Sequence, residues 1–142
     1  MTDTTRAILA AGTLVALAAT AGSLYFSLGL GLTPCDLCWY QRILMYPLVV
    51  VLGVAAIEDR GGIWKTVLPL SLGGMALAGY HTYLQVAGGT CTLGGPCASI
   101  LYPMVDGLLT IPRLSLIAFS LLTLATVAAA RADKSRDNMW MA

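Results

Sequence analysis

The feature that most constrains this chain is a long stretch without charge near its N-terminus. No charged residue lies between Arg6 and Asp36, and residues 7–30 are predominantly apolar. A membrane-spanning helix needs about 20 mostly apolar residues. This stretch therefore predicts a first membrane span over residues 7–30.

Three further stretches have the same character, and they predict spans over residues 35–57, 65–86 and 114–130. The composition agrees, because 58% of the 142 residues are hydrophobic and only 11% are charged, whereas soluble domains carry about 25% charged residues. We therefore expect an all-α membrane protein, a single domain built as a bundle of four transmembrane helices. An ordinary soluble enzyme, a disordered chain and a small secreted disulfide protein are excluded.

The first stretch has an alternative interpretation as a secretory signal peptide. Ala19-Thr20-Ala21 is a plausible cleavage site, but the apolar sequence continues to Leu32. That is longer than the apolar region of about 7–15 residues in a typical signal peptide. A retained span is the favoured prediction.

The basic residues predict the orientation of the spans, because cytoplasmic loops carry an excess of Lys and Arg. Only Arg42 and Arg113 fall on the side of the chain that this rule places outside. The termini and the second loop hold Arg6, Arg60, Lys65, Arg131, Lys134 and Arg136. Both termini are therefore expected in the cytoplasm of a multi-pass plasma-membrane protein. All four cysteines then face the extracytoplasmic side, where disulfides persist.

The first cysteine pair lies at a predicted helix start. Thr33 can cap a helix whose first residue is Pro34, which places Cys35 and Cys38 in the first turn. The free amides there favour a thiolate, and Arg42 lies one turn further on the face of Cys38. This pattern favours a redox-active pair over the alternatives, a structural disulfide or two buried thiols.

Four polar side chains lie in the spans at a similar depth below the outer surface. Arg42 is about 12 Å along its helix from Pro34, and His81 about 10 Å from the end of its own; their neighbours Gln41 and Gln85 can join them. Together these four can bind the carbonyl oxygens of a ring whose tail lies in lipid. The alternatives are an arginine that reaches the headgroups and a histidine satisfied by an interhelical hydrogen bond.

The second cysteine pair, Cys91 and Cys97, lies in the outer loop over residues 87–113, in a turn-rich segment. Five intervening residues allow a small disulfide ring, and exposed disulfides are the labile ones. The alternatives are a loop staple or a zinc site made by all four cysteines. Because the outer side is oxidising, we expect disulfides and no metal site. Residues 100–109 carry apolar residues at helical spacing, which predicts a short interfacial segment, and Pro103 should break or start any helix there.

The sequence resembles the DsbB/BdbC family of membrane disulfide-bond formation proteins, and it is most similar to the short BdbC type. The matching stretches are CDLCWYQRILMYP (residues 35–47), YHTYLQ (80–85), CTLGGPC (91–97) and TIPRLSL (110–116). Vitamin K epoxide reductase relatives share the four-helix plan, but their CxxC motif follows the loop pair instead of preceding it.

The resemblance implies a thiol:disulfide oxidoreductase that reoxidises an extracytoplasmic thioredoxin-fold protein of the DsbA/BdbD type. Cys91 and Cys97 match the pair that exchanges with this partner, with Cys91 forming the mixed disulfide. Cys35 and Cys38 match the pair that faces a membrane quinone of the ubiquinone or menaquinone type. Arg42 matches the arginine associated with quinone binding, and His81 occupies the family's histidine region.

Two other functions compete with this one. A reducing relay needs a redox group on the cytoplasmic side, and no cysteine lies there. A non-catalytic membrane scaffold with structural disulfides is the other alternative. A nucleic-acid partner is not expected, because the net charge is only +1.

Overall fold

The chain forms a bundle of four antiparallel helices in a computed structural model, which describes residues 3–58, 60–89, 97–100 and 102–141. The prediction of an all-α protein is confirmed over these residues, whose β structure is limited to one bridge between Met104 and Leu109. The helices are α1 (Asp3–Leu24), α2 (Asp36–Glu58), α3 (Trp64–Ala87) and α4 (Ile111–Trp140).

Three helical segments are long and apolar enough to cross a membrane, namely Asp3–Gly29, Asp36–Glu58 and Ile111–Ser135. Large apolar side chains such as Leu14, Val50 and Leu124 are exposed on them, at 66%, 65% and 67%, as expected where lipid is the solvent. The predicted count of four spans stays a prediction. Helix α3 has sufficient length at 24 residues, but its second half carries several polar side chains, including His81, which lower its hydropathy.

The helices pack in sequence order around one core. Helix α1 contacts α2 and α4, and α3 contacts α4 and α2. The centre is filled by large side chains that are fully buried: Leu48, Val67, Phe119 and Leu122. This order brings the start of α2 beside the end of α3, where the predicted site residues lie.

The contact between α3 and α4 depends on a glycine. A Cβ atom at Gly74 would overlap the ring of Phe119, which is fully buried. Small residues at such positions let two helix backbones approach closely in lipid. Gly74 is therefore required by packing, whereas Gly79 on the same helix has open space beside it.

We expect Gly74→Ala to lower the thermal stability of the purified protein, by about 1–3 kcal/mol, since an overpacked core costs this amount. Gly79→Ala is the matched control, and it should leave stability unchanged or raise it slightly, because alanine is the better helix former. Thermal unfolding of both variants in detergent measures the difference. Equal unfolding temperatures in the two variants would show that α3 and α4 can move apart at residue 74 without a loss of stability.

The two ends of the bundle differ in chemistry. At one end the carboxyl group of Asp133 lies against Gly61, so the last turns of α4 meet the connection between α2 and α3. The basic residues of that connection and of α4 therefore share this end. The opposite end, called the cysteine end below, holds Cys35, Cys38 and Cys97.

Two of the differences between the observed helix boundaries and the predicted ones have a clear physical cause. Helix α2 begins at Asp36, not at Pro34, because the Cys35 carbonyl accepts the first helical hydrogen bond, from Trp39 N at 3.1 Å. Cys35 therefore caps the helix. Helix α4 continues to Trp140, ten residues beyond the predicted span. The charged residues from Arg131 onward end the apolar pattern, but they are compatible with a helix that continues into water.

The loop before α4 is a turn and not the helix-like segment that its apolar spacing suggests. Met104 and Leu109 pair through two hydrogen bonds of 2.9 and 3.1 Å. Val105, Asp106 and Gly107 take left-handed backbone conformations, with φ of 49°, 55° and 83°. Pro103 lacks the amide hydrogen that a continuing helix needs, and the chain reverses direction instead.

Candidate functional site

The first cysteine pair lies at the start of α2. The Sγ atoms of Cys35 and Cys38 are 3.0 Å apart and share a hydrogen bond, so a shift of about 1 Å closes a disulfide. The hydrogen bond with Cys38 and burial raise the pKa of Cys35, which precedes α2, to about 12. Cys35 therefore keeps its proton at neutral pH.

Cys97 of the loop lies against this pair. Its side chain is 1% exposed, and it packs in one apolar cluster with Cys35, Leu37 and Leu84, with Cys38 at the edge. The loop thus places one of its cysteines against the pair at the start of α2. Cys91, the predicted partner-facing cysteine, lies outside the described residues.

His81 contacts Cys35, Gln41 and Cys97. It is 2% exposed, and its Nε2 donates a hydrogen bond to the Cys97 carbonyl at 3.0 Å, because a carbonyl oxygen can only accept. Its Nδ1 accepts from Nε2 of Gln41 at 3.2 Å. Nε2 is also 3.8 Å from the Cys35 sulfur. His81 therefore fixes the backbone of Cys97 against α2.

Among the described residues, one group of three side chains could hold a metal ion: Cys35, Cys38 and His81. The sulfurs of Cys35 and Cys38 and a ring nitrogen of His81 lie within 4.8 Å of one another. Two thiolates and one imidazole occur as zinc ligands in proteins. Here, however, Nε2 carries the hydrogen that Cys97 accepts, so the nitrogen nearest Cys35 presents no lone pair. A metal here would require the other tautomer, and the absence of a metal site stays a prediction.

Gln85 ties the loop to the helices. Its Nε2 donates to the Ser99 carbonyl at 3.2 Å, and its Oε1 accepts from the Thr110 hydroxyl at 2.9 Å. Thr110 is buried and directly precedes α4. Gln85 thus holds both the segment after Cys97 and the start of α4, a structural role that the sequence does not predict.

Arg42 is held by α1. Its Nε donates to the Ser23 hydroxyl at 2.9 Å and its Nη2 to the Ser23 carbonyl at 3.0 Å. Its guanidinium also lies 5.3 Å from the centre of the Trp39 ring. Among the described residues no carboxylate pairs with it, since the salt bridge there joins Arg60 to Glu58. Within the described ranges its positive charge therefore has no acidic partner.

A π-helical turn begins two residues after Ser23. Residues Tyr25–Gly29 leave the α-helical register at the end of α1, and such turns are frequent at functional sites. The Ser23 carbonyl accepts from Arg42 and from the Ser27 hydroxyl, at 3.0 and 3.1 Å. Ser23 is a functional candidate that the sequence analysis missed, because a lone serine in an apolar span gives no specific signal.

A cavity of about 410 Å³ opens between α1, α2 and α4 at the cysteine end. Its volume lies in the range of small-molecule sites, about 300–1,000 Å³. The walls are mostly apolar, and they include Cys38, Gln41 and Arg42 from α2. Tyr46 also lines it, four residues beyond Arg42.

A second cavity of about 20 Å³ lies on the other side of the cysteine pair, lined by Cys35, Cys38, His81 and Gln85 among others. The four residues predicted to hold a cofactor are therefore divided between two places. Arg42 and Gln41 face the large cavity, whereas His81 and Gln85 face the small one. Cys38 borders both.

Comparisons with known proteins agree with the resemblance stated above. The family model described as Disulfide bond formation protein DsbB matches residues 5–129. Disulfide bond formation protein C of Bacillus subtilis (strain 168) is 44% identical over 119 residues, which cover 80% of this chain and 86% of the relative.

More distant relatives carry similar names. A probable disulfide formation protein of Deinococcus radiodurans is 42% identical over 121 residues, covering 77% of this chain and 79% of its own length. Another, from Oceanobacillus iheyensis, is 40% identical over 107 residues, covering 71% and 73%. No solved structure matches the chain. With its apolar helices and its cysteines, this chain is an integral membrane protein that belongs to the DsbB family of disulfide bond formation proteins.

Proposed function

We propose that the chain reoxidises a thioredoxin-fold dithiol oxidase of the DsbA/BdbD type and passes two electrons through its cysteine pairs to a membrane quinone. One observation carries this proposal, the position of Cys38. Its side chain borders the large apolar cavity that Arg42 lines and also the small cavity beside Cys35 and His81. One sulfur thus connects the thiol relay with a site suited to a lipid-soluble acceptor.

The large cavity fits a quinone of the ubiquinone or menaquinone type. Its apolar walls suit a ring with a lipid tail, and its polar groups are concentrated beside Cys38. When bound, a quinone accepts two electrons and two protons. The four cysteines can only exchange electrons among themselves and with the partner, so the relay needs such an acceptor. Arg42 and Gln41 are the side chains placed to bind the polar edge of such a ring.

Arg42 supplies a fixed positive charge at this edge. Two hydrogen bonds to Ser23 orient the guanidinium, and an arginine has five N–H donors in all. The remaining donors are available to a carbonyl oxygen in the cavity. A preorganised cation stabilises negative charge that develops nearby, more strongly in an apolar site than in water.

The cysteines transfer electrons by disulfide exchange. A partner thiolate attacks Cys91 in the Cys91–Cys97 disulfide, and Cys97 leaves as a thiolate. Cys97 then attacks Cys35 in the Cys35–Cys38 disulfide, and the Cys38 thiolate is released beside the large cavity. The partner's second thiol releases the oxidised partner and frees Cys91. Cys91 then attacks Cys97, which restores the loop disulfide and leaves the helical pair reduced.

The buried position of Cys97 supports this order. It packs against Cys35, and His81 holds its carbonyl. A sulfur in this position is suited to attack the helical pair and not to meet a protein partner in water. Cys91 is accordingly the cysteine proposed to meet the partner.

The proposed topology has four spans, with both termini in the cytoplasm and the cysteine end outside. The division of the bundle into a cysteine end and a basic end supports this orientation through the positive-inside rule. A reducing relay from the cytoplasm is less well supported, because the three cysteines that the structure describes all lie at the opposite end from the basic residues.

The test is the quinone dependence of partner oxidation. Arg42→Ala should raise the quinone KM about 10- to 100-fold, the size expected when a hydrogen bond from a charged group is lost. Thiol exchange between the loop pair and the partner should be unchanged. Quinone absorbance with purified protein in detergent, reduced partner and a series of quinone concentrations measures the KM. Partner oxidation in a single turnover without quinone measures the exchange.

Arg113→Ala is the matched control at the same end of the bundle. Arg113 donates to the Leu108 carbonyl at 2.6 Å and lies outside the large cavity, so its loss should leave the quinone KM unchanged. Arg42→Lys keeps the charge but not the paired bonds to Ser23, and an intermediate KM is expected. An unchanged KM in Arg42→Ala would remove this residue from the cofactor site.

A further inference from the structure

Three polar or reactive side chains line the large cavity at intervals of four residues along α2. Cys38, Arg42 and Tyr46 share one face of the helix, because residues four apart are neighbours on its surface. The proposed function uses the first two. Tyr46 lies one turn further from the cysteine end, and its hydroxyl has no role in the proposed function.

The hydroxyl of Tyr46 is buried and has no hydrogen-bond partner among the described residues. Buried tyrosine hydroxyls ordinarily have a partner, since an unsatisfied polar group in an apolar setting costs free energy. In the part of the chain that the structure describes, Thr20 carries the other buried hydroxyl without a partner, but Thr20 does not line the cavity. Tyr46 thus combines an unused donor with a position in the wall of a ligand-sized space.

Packing alone does not explain a tyrosine here. The ring contacts the apolar core, and a phenylalanine would make the same contacts without the cost of an unpaired hydroxyl. The hydroxyl therefore has no evident structural role in the protein without a ligand. A ligand that places an acceptor in the cavity would satisfy it.

We propose that the Tyr46 hydroxyl donates a hydrogen bond to the second ring oxygen of a para-quinone whose first oxygen lies at Arg42. This inference rests on the proposed function and extends it to the class of ring that the site selects. Four residues of α-helix advance about 6 Å, and the two oxygens of a para-quinone are about 5 Å apart by standard bond lengths. The two residues are therefore separated along α2 by about the length of such a ring, and a donor at each of its ends would discriminate a ring with two carbonyls from a ring with one.

The test compares the binding of two small probes by the full-length protein in detergent, using calorimetric titration. One probe is dimethylnaphthoquinone, whose methyl groups block thiol addition; the other is methyltetralone, a similar two-ring frame with a single carbonyl. Tyr46→Phe should weaken binding of the quinone about 3- to 10-fold, the effect of one hydrogen bond. Binding of the ketone should change by less than about two-fold, because Arg42 already satisfies its single oxygen.

Thermal unfolding of the ligand-free protein provides a second readout. Tyr46→Phe should leave the unfolding temperature unchanged or raise it, since the variant removes an unsatisfied hydroxyl. Tyr40→Phe is the matched control on the same helix, because Tyr40 is 49% exposed and lies outside the cavity. It should change neither affinity nor stability.

The outcomes separate this inference from the function on which it rests. Equal quinone affinity in Tyr46→Phe and the unchanged protein would overturn the role of Tyr46 and leave the proposed function standing. Equal weakening of both probes together with a lower unfolding temperature would make the hydroxyl structural and would also overturn it. Failure of the unchanged protein to bind the quinone would overturn both.

Discussion

Replacing Cys38 by serine is expected to stop the continuous oxidation of partner thiols, with a loss of about a thousand-fold or more, as for other enzymes that lose a reacting nucleophile. Cys38 is the sulfur that borders both the large cavity and the small one. A hydroxyl at this position cannot form a disulfide with Cys35, so electrons that arrive at Cys35 have no route onward. Quinone reduction under multiple turnover measures the loss.

A single-turnover experiment separates this effect from misfolding. The loop pair is intact in Cys38→Ser, so the variant should still oxidise about one equivalent of partner and then stop, as exchange at one disulfide requires. The thermal stability should change little, because serine fills nearly the same volume.

The scaffold alternative gives the opposite result for Cys38→Ser. If the disulfides are only structural, the substitution lowers the unfolding temperature, and partner oxidation does not depend on Cys38. Sustained turnover in the variant would therefore contradict the relay at its central step.

The sequence predicts the part of this site that lies on regular helices. Apolar length locates the helices, and the four-residue spacing of Cys38 and Arg42 places both on one face of α2, where they line the same cavity. His81 follows from the same argument, since helical rise alone gives its depth beside the start of α2. These inferences succeed because helix geometry is local and regular.

The sequence does not predict which helix faces meet. Nearly all residues of a membrane span are apolar, so hydropathy does not distinguish the lipid-facing side from the buried one. This is why the division of Arg42 and His81 between two cavities emerges only from the structure. The contact of Arg42 with Ser23 likewise lies beside a π-helical turn, a local register change without a sequence signature.

The loop shows a different limit. Its apolar residues have helical spacing, but Pro103 and the left-handed conformation at residues 105–107 reverse the chain. Ile100, Val105 and Leu108 remain exposed, at 51%, 65% and 66%, so contact with the membrane surface is still expected of this segment. A periodic pattern thus identified the apolar residues correctly but not their backbone conformation.

The second large effect is expected from Cys97→Ala, which should trap the partner on Cys91. Cys97 lies in the apolar cluster with Cys35, and without it no thiol of the loop can resolve a mixed disulfide. The partner in this test keeps one active-site cysteine, which carries thionitrobenzoate in a mixed disulfide. The Cys91 thiolate attacks the partner sulfur, and thionitrobenzoate leaves. The partner has no second thiol to reverse the new bond, so the adduct should accumulate; with the unmodified partner, turnover of the variant should fall to background.

Non-reducing electrophoresis followed by mass spectrometry measures the adduct and identifies both cysteines. Cys91→Ala is the matched control, and it should give no adduct, because Cys97 is 1% exposed and cannot reach a protein in water. If Cys91→Ala trapped the partner and Cys97→Ala did not, the two loop cysteines would have exchanged roles. The buried contact of Cys97 with Cys35 would then have to open during each cycle. Faster hydrogen exchange of the backbone amides around Cys97 would reveal this opening.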